Sequence, residues 1–310
     1  MKDVCAAALK LWGLEGADCA FVAGRENQVF RVDSAGETFA LRIKRPGYRT
    51  KAELQSELDW MAAMDAAGLA VPRPQAALSG RLIEEVEGYC VDLISWLDGT
   101  PLGTTGQPLE LSDAEGTFET IGGQLALIHD ASDAWIRPEG FERIAWDLNG
   151  LRGEAPLWGR FWENPTLDAE TRALFARFRD RAMAILEAKE ESFDFGLIHA
   201  DFVRENVLLS DAGPQIIDFD DGGFGYRLFD VATALLKNQS ELNYPDLEAA
   251  LIQGYQQHRP LDTTLLPLFL AIRAMTYVGW IIPRMEEPGG KARNERFITQ
   301  ARRLCLTLQT

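Results

Sequence analysis

The chain has 310 residues and a formal net charge of −16, with 46% hydrophobic and 25% charged residues. That is apolar material enough for a sizeable core, and so acidic a chain argues against nucleic acid or an anionic membrane as the main partner. The acidity suits a cationic small substrate or serves solubility alone. Cys5, Cys19, Cys90 and Cys305 are scattered with no C-x-x-C pair, so idle thiols in a reducing cytosol are expected rather than disulfides or zinc.

The opening residues read as a helix, because Asp3 and Lys10 bracket an apolar run too short for a signal sequence. Phe21 to Val32 and Thr38 to Lys44 read as two strands joined at Asp33–Glu37, with Gly24 and Asn27 in the first. Alternation along the second strand puts Ala40, Arg42 and Lys44 on one face and Phe39, Leu41 and Ile43 on the other. Ala52 to Ala67 is helical, with Leu54, Leu58, Met61 and Met64 as its apolar stripe and Glu57 in its middle. Gly68 ends it. Arg81 to Val86 and Tyr89 to Leu97 form a hairpin about Glu87-Gly88. After Ser95-Trp-Leu-Asp-Gly99 the composition shifts from strands to helices, so a first lobe over 1–97 and a second over 98–310 are expected.

Ser112 with Glu115 predicts a capping box for a helix reaching His129-Asp130, where His129 is read as a structural residue of the core. The segment 133–164 carries Trp135, Trp146, Trp158 and Trp162 without periodicity, either as a roof over a substrate site or as a packed cluster. Asp168 to Glu190 is a long amphipathic helix. Then Val207–Leu209 and Gln215–Ile217 read as short strands about the turn Ser-Asp-Ala-Gly-Pro. Such a hairpin sets Asn206, before its first strand, beside Asp218, after its second, with Asp201 on the loop leading in. Hard oxygen donors placed together in this way suit a magnesium–phosphate site. Asp230 heads a further helix, and helices are expected near 244–258, 264–285 and 290–308. Leu265–Ile282 is almost wholly apolar, but Arg273 within it favours a buried helix over a membrane span. Arg273, Tyr277 and Trp280 share one face and either line a pocket or pack in the core.

The order His199-x-Asp201-x-x-x-x-Asn206, with Asp218-Phe219 a hairpin later, resembles the catalytic and metal-binding loops of protein-kinase-like folds. With Phe219-Asp220-Asp221 in place of Phe-Gly, it looks most like the aminoglycoside phosphotransferase family, which includes choline kinases and type II homoserine kinases. The resemblance implies an α+β, bilobal protein-kinase-like fold, with a small β-rich N-terminal nucleotide lobe and a larger helical C-terminal lobe. It implies an ATP-dependent phosphotransferase, using Mg2+, that acts on the hydroxyl of a small, amine-bearing molecule in the cytoplasm. A serine/threonine protein kinase is the nearest alternative, but no A-P-E element is recognisable and little chain separates Asp218 from Asp230. A non-catalytic pseudokinase and a two-metal hydrolase are the others.

Residue by residue, the resemblance makes Asp201 the group that accepts the proton of the attacking hydroxyl, and Asn206 and Asp218 the metal ligands. Arg42 stands where protein kinases have the Lys of V-A-I-K, with Glu57 as its brace, Glu53 as the alternative brace and Lys44 as a rival cation. Asn27 falls in the phosphate-covering loop, and Ser95, Trp96 and Leu97 at the hinge that takes adenine through its backbone. His199 and Asp230 support the loop. Val203 replaces the Lys that protein kinases place two residues after the Asp, and Arg204 is the candidate to supply that charge. Asp220 and Asp221 would pair a substrate ammonium, and Arg273 a substrate carboxylate. The acceptor itself and the oligomeric state have no signature in the sequence.

Overall fold

The computed structural model describes residues 2–24 and 27–308. Arg25 and Glu26, in the stretch expected to cover the phosphates, lie outside the described residues. In chain order come α1 (Lys2–Leu11), β1 (Asp18–Gly24), β2 (Asn27–Ser34), β3 (Glu37–Lys44), α2 (Lys51–Ala66), β4 (Pro74–Gln75), β5 (Ile83–Val86), β6 (Tyr89–Ser95) and β7 (Thr100–Pro101). They are followed by α3 (Ala114–Ala134), β8 (Ala145–Trp146), α4 (Leu148–Arg152), α5 (Ala169–Ala188), β9 (Phe195–Ile198), β10 (Val207–Ser210), β11 (Gly213–Ile216) and β12 (Gly223–Tyr226). Four helices close the chain: α6 (Arg227–Leu236), α7 (Tyr244–Gln256), α8 (Leu266–Trp280) and α9 (Gly290–Thr307).

The chain divides into two compact units. The first holds the chain up to Leu102 together with Asp130–Arg143 and Asn206–Asp220. Its main sheet is antiparallel in the order β1-β2-β3-β6-β4, with β5 on β6, and a second sheet runs β11-β10-β7. The alternation along β3 decides how the sheet is used. Leu41 and Ile43 join Phe30, Val32, Val91 and Leu93 against Val4, Ala8 and Leu9 of α1 and Trp12 just beyond it, an apolar layer that excludes water. Arg42 and Lys44 point the other way and are also buried, which only close partners make tolerable. α2 begins at a complete capping box, Thr50 with Glu53, so Glu53 is committed there. Leu54, Leu58, Trp60, Met61 and Met64 form its buried side.

Three expectations need correction here. The strand expected over 21–32 is two strands, β1 and β2, paired antiparallel from Asp18↔Asp33 to Gly24↔Gln28. A run of β-prone residues does not reveal a reversal that few turn residues mark. Asp113, not Ser112, stands before α3, where its carboxylate accepts the Gly116 amide at 2.9 Å; either residue type can cap, and the helix starts one position later than expected. Cys5 and Cys19, expected to be scattered thiols, lie with their sulfurs against each other and their Cα atoms 7.8 Å apart, while Cys90 and Cys305 are free. α1 lying against the sheet brings the pair together, which spacing alone does not disclose.

The second unit holds Gly103–His129, Ile144–Glu205 and the chain from Asp221 onward. It is helical apart from a three-stranded sheet in which β12 pairs parallel to β8 and antiparallel to β9. α8 is buried along nearly its whole length, with Pro267 in its first turn, where the missing N–H costs nothing. Among the described residues no helix is long and apolar enough to cross a membrane. Two of the tryptophans of 144–164 pack together: Trp146 is fully buried, stacks on Phe229 with centroids 5.5 Å apart and meets Trp158 edge-on at 5.2 Å, while Trp162 packs on Phe161 at 4.9 Å.

Candidate active site

In the first unit the β3 cations meet carboxylates from α2, β6 and the segment after β11. The register of β3 and β6 sets Arg42 directly opposite Asp92. Arg42 Nε lies 2.6 Å from Asp92 Oδ1 and its Nη1 2.6 Å from Glu57 Oε1. Lys44 Nζ is held more loosely, 3.2 Å from Glu57 Oε2 and 3.6 Å from both Asp92 Oδ2 and Asp220 Oδ1. Burial alone would raise the Glu57 carboxyl, but Arg42, Lys44 and Arg143 outweigh it and hold it well below the usual carboxylate range. Burial and neighbouring Arg42 oppose the charge on Lys44, and Glu57, Asp92 and Asp220 overcome them, so its ammonium is held above its ordinary value.

Two cations thus share a water-poor space with three carboxylates. The expected Arg42–Glu57 pair is present, with Lys44 on the same carboxylate. Asp92 is the partner that sequence reasoning missed; its signal is a lone acid in an apolar strand, Tyr-Cys-Val-Asp-Leu-Ile-Ser, which becomes meaningful only once the register is known. Asp220, expected as a counter-charge for a substrate ammonium, is instead 4% exposed, facing Lys44 and accepting from Asn27 Nδ2 at 3.3 Å. Among the described residues its buried Oδ2 has no hydrogen-bond partner, and an unmet oxygen is of the kind a cation satisfies.

The β10–β11 hairpin closes with the Ile217 amide donating to the Asn206 carbonyl at 3.0 Å, so Asn206 and the start of the following segment share one end. Asp218 comes next, in left-handed backbone at φ 68°, a conformation that Asp tolerates better than most residues. Phe219 is fully buried edge-on to Trp60, with centroids 5.0 Å apart. Arg143 ties the segment to α2, donating to the carbonyls of Glu53 at 3.0 Å, Phe219 at 2.9 Å and Asp220 at 2.7 Å; nothing in its local sequence marks this role. At the end of β6, Ser95 exchanges hydrogen bonds with Arg73, and the Trp96 amide donates to Thr38 at 3.0 Å. Leu97 follows, partly buried.

In the second unit the His199–Asp201 loop is held from beneath. Ala200 has φ 61°, a left-handed conformation that costs a residue with a Cβ on the order of 1–3 kcal/mol. Buried Asp230 of α6 compensates, accepting the His199 amide on Oδ2 and the Ala200 amide on Oδ1, both at 2.7 Å. His129 stands behind Asp230 at 3.1 Å, with its other ring nitrogen 2.8 Å from the Tyr255 hydroxyl. Burial, with Arg227 nearby, pushes His129 down to about 4. The ring is therefore neutral at neutral pH, its Nε2–H donating to Asp230 and its Nδ1 accepting from Tyr255. His129 is the core residue expected, and Asp230 the brace expected.

Asp201 emerges from this turn a quarter exposed, with Oδ1 2.8 Å from Arg273 Nη2. Arg273 itself has no exposed side-chain surface, so it faces the Asp201 carboxylate rather than lying open to a substrate carboxylate. Arg204 does not supply charge to the loop: it is buried, bonded to Asn238 at 2.7 Å, the Gln107 carbonyl at 2.8 Å and Glu241 at 2.5 Å. The Asp221 carbonyl accepts from Trp146 Nε1 at 2.8 Å. Among the described residues no three His, Cys, Asp or Glu side chains gather as a metal-ligand set.

A model of the family described as APH, the phosphotransferase enzyme family, matches residues 19–261. The chain is 25% identical over 301 residues to the amicoumacin kinase of Bacillus subtilis, covering 90% of this chain and 84% of that protein. It is 28% identical over 246 residues to a homoserine kinase of Methylobacterium radiotolerans, covering 77% and 70%. Among solved structures, that of a microcompartment-associated aminopropanol kinase superposes with a TM-score of 0.82 at 27% identity, covering 98% of this chain and 95% of that one. The α+β kinase-like fold expected from the loop motifs is therefore the fold the chain has.

Proposed function

The chain belongs to the phosphotransferase enzyme family and is an ATP-dependent phosphotransferase acting on a small hydroxyl-bearing molecule; we propose that Asp201 is its base and that the acceptor is an amine-bearing alcohol. The observation that carries the assignment of Asp201 is its turn. A left-handed Ala200 pinned by two hydrogen bonds to Asp230 presents the one carboxylate of that loop to solvent with little freedom.

In this reading the acceptor oxygen bonds to the γ-phosphorus as the bond from that phosphorus to the β-phosphate oxygen breaks. Asp201 takes the hydroxyl proton, and ADP leaves. Asn206 and Asp218 supply hard oxygens at one end of the hairpin, a donor set that fits Mg2+. When bound there the ion would neutralise charge on the phosphates. Asp220 Oδ2, buried and unmet nearby in the sequence, is consistent with a cation at that segment. Lys44, braced by Glu57 but held at longer range than Arg42, is the better placed of the two to reach phosphate oxygens. The Trp96 amide is already taken by Thr38, so adenine would be read by the Leu97 backbone.

An amine on the acceptor is supported by the acidity of the chain and by the amino alcohols named in its relatives, homoserine and aminopropanol. Asp221 remains the candidate counter-charge, since Asp220 is turned inward to Lys44. The test is ADP release from magnesium-ATP with homoserine, aminopropanol and choline, each against a neutral analogue. A preference for amines of ~10-fold or more, the scale of one charge-assisted contact, is expected. Equal rates with amine and neutral alcohols would overturn the amine assignment.

A further inference from the structure

The loop that carries Asp201 lacks the lysine protein kinases place beside their aspartate, since Val203 stands there, and Arg204 is committed elsewhere. Yet a cation is at the carboxylate. Arg273, from the middle of α8, reaches Asp201 Oδ1 with Nη2 at 2.8 Å. We propose that Arg273 is the positioning residue of the Asp201 carboxylate, supplying from α8 the charge that the loop itself lacks; the inference rests on Asp201 being the base.

The seat of Arg273 is built to hold one orientation. Its guanidinium carbon lies 4.4 Å from the ring centroid of Trp158 and 4.4 Å from that of Tyr277. Nη2, the nitrogen on Asp201, also donates to the Tyr277 hydroxyl at 3.0 Å, and Thr276 lies within 3.4 Å of Nη1. The two partners on α8 recur three and four residues on, the spacing that stacks side chains along one helix face. Trp158 comes this close because α8 carries Gly279: a Cβ there would lie 2.5 Å from the Trp158 carbonyl.

The pair is one-sided. Arg273 is fully buried, whereas Asp201 keeps a quarter of its side chain exposed. A buried ion pair seldom stabilises a fold more than well-packed apolar residues would, so stability does not account for a guanidinium in the middle of an apolar helix. Fixing the rotamer of a carboxylate that must meet a hydroxyl does account for it. The role also gives the tryptophan pair a use: Trp158 walls the aromatic seat of Arg273, and Trp146 backs Trp158 edge-on.

The experiment measures ADP release from magnesium-ATP with homoserine, with aminopropanol and with water alone as acceptor, in whichever arm the wild type is fastest. Variants are Arg273→Gln, Arg273→Lys and Tyr277→Phe, each also in the Asp201→Asn background, with nucleotide affinity and thermal unfolding measured alongside. Expected is a loss in kcat of ~10²-fold for Arg273→Gln, the scale of a misplaced catalytic group, with nucleotide affinity unchanged. Arg273→Lys should recover part of that loss and Tyr277→Phe should cost less. In the Asp201→Asn background Arg273→Gln should cost nothing further, because it acts through Asp201. An equal loss in both backgrounds, or no loss in either, overturns the inference, as does a Lys variant no better than Gln with unfolding lowered equally in both. If Asp201→Asn alone leaves the rate unchanged, it is the assignment of Asp201 as base that fails.

Discussion

Arg42 and Asp92 face each other across β3 and β6, with Nε and Oδ1 2.6 Å apart and side chains 6% and 1% exposed. Glu57 takes the other side of the same guanidinium at 2.6 Å, so the cation is clamped between two acids. Removing one of them leaves buried charge uncompensated. Asp92→Ala is expected to destabilise the protein by roughly 3–5 kcal/mol, read from the urea unfolding midpoint. A change below ~1 kcal/mol, the scale of an exposed pair, would contradict the clamp.

If Arg42 is a brace and Lys44 the cation nearer the phosphates, their substitutions should separate. Lys44→Met is expected to weaken nucleotide binding by ~10-fold or more, the loss of one charge-assisted contact, and to lower stability too, since it takes the ammonium away from buried Asp220. Arg42→Met should lower stability first. Isothermal titration with magnesium-ATP beside urea unfolding distinguishes them, and the reverse pattern would return the phosphate role to Arg42.

The sequence was most legible where chemistry is local. The loop spacing from His199 to Asp218 disclosed the fold and the candidate residues because a hairpin brings its own ends together, whatever the rest of the chain does. The period-two alternation of β3 put Arg42 and Lys44 on one face correctly for the same reason. What escaped was set by tertiary register. Asp92, Arg143 and the Arg273–Asp201 pair each join residues far apart in the chain, and nothing in the segments around them signals the partner. Asp220 was expected to pair a substrate ammonium because an acid in a polar turn does not disclose a buried lysine from a distant strand as its partner.

His129 makes stability depend on pH in a definite window. Burial lowers it from 6.5 to about 4, so between these values the unfolded chain binds a proton that the native chain refuses. Stability is therefore full above pH ~6.5 and falls as the pH drops toward ~4, by up to about 3 kcal/mol. Urea unfolding at pH 7.5, 6 and 5 should show this loss, and His129→Gln should flatten it; an equally steep loss in the variant would place its origin elsewhere.

Asp218 is expected to act through the metal. Asp218→Ala should weaken binding of magnesium-ATP by ~10-fold or more, the cost of losing one charged ligand, while binding of metal-free ATP changes little. Titrations with and without EDTA make the comparison, and equal losses in both would mean that Asp218 is not a metal ligand.

The central claim is phosphoryl transfer to a hydroxyl with Asp201 as the base. Phosphorus NMR of the wild-type protein with magnesium-ATP and an amino alcohol that it accepts should show ADP and a new phosphate monoester growing together. In Asp201→Asn the monoester should form ~10²-fold more slowly or worse, the usual contribution of a positioned base, with nucleotide affinity near that of the wild type. ADP appearing with inorganic phosphate and no monoester, or Asp201→Asn turning over at the wild-type rate, would contradict it.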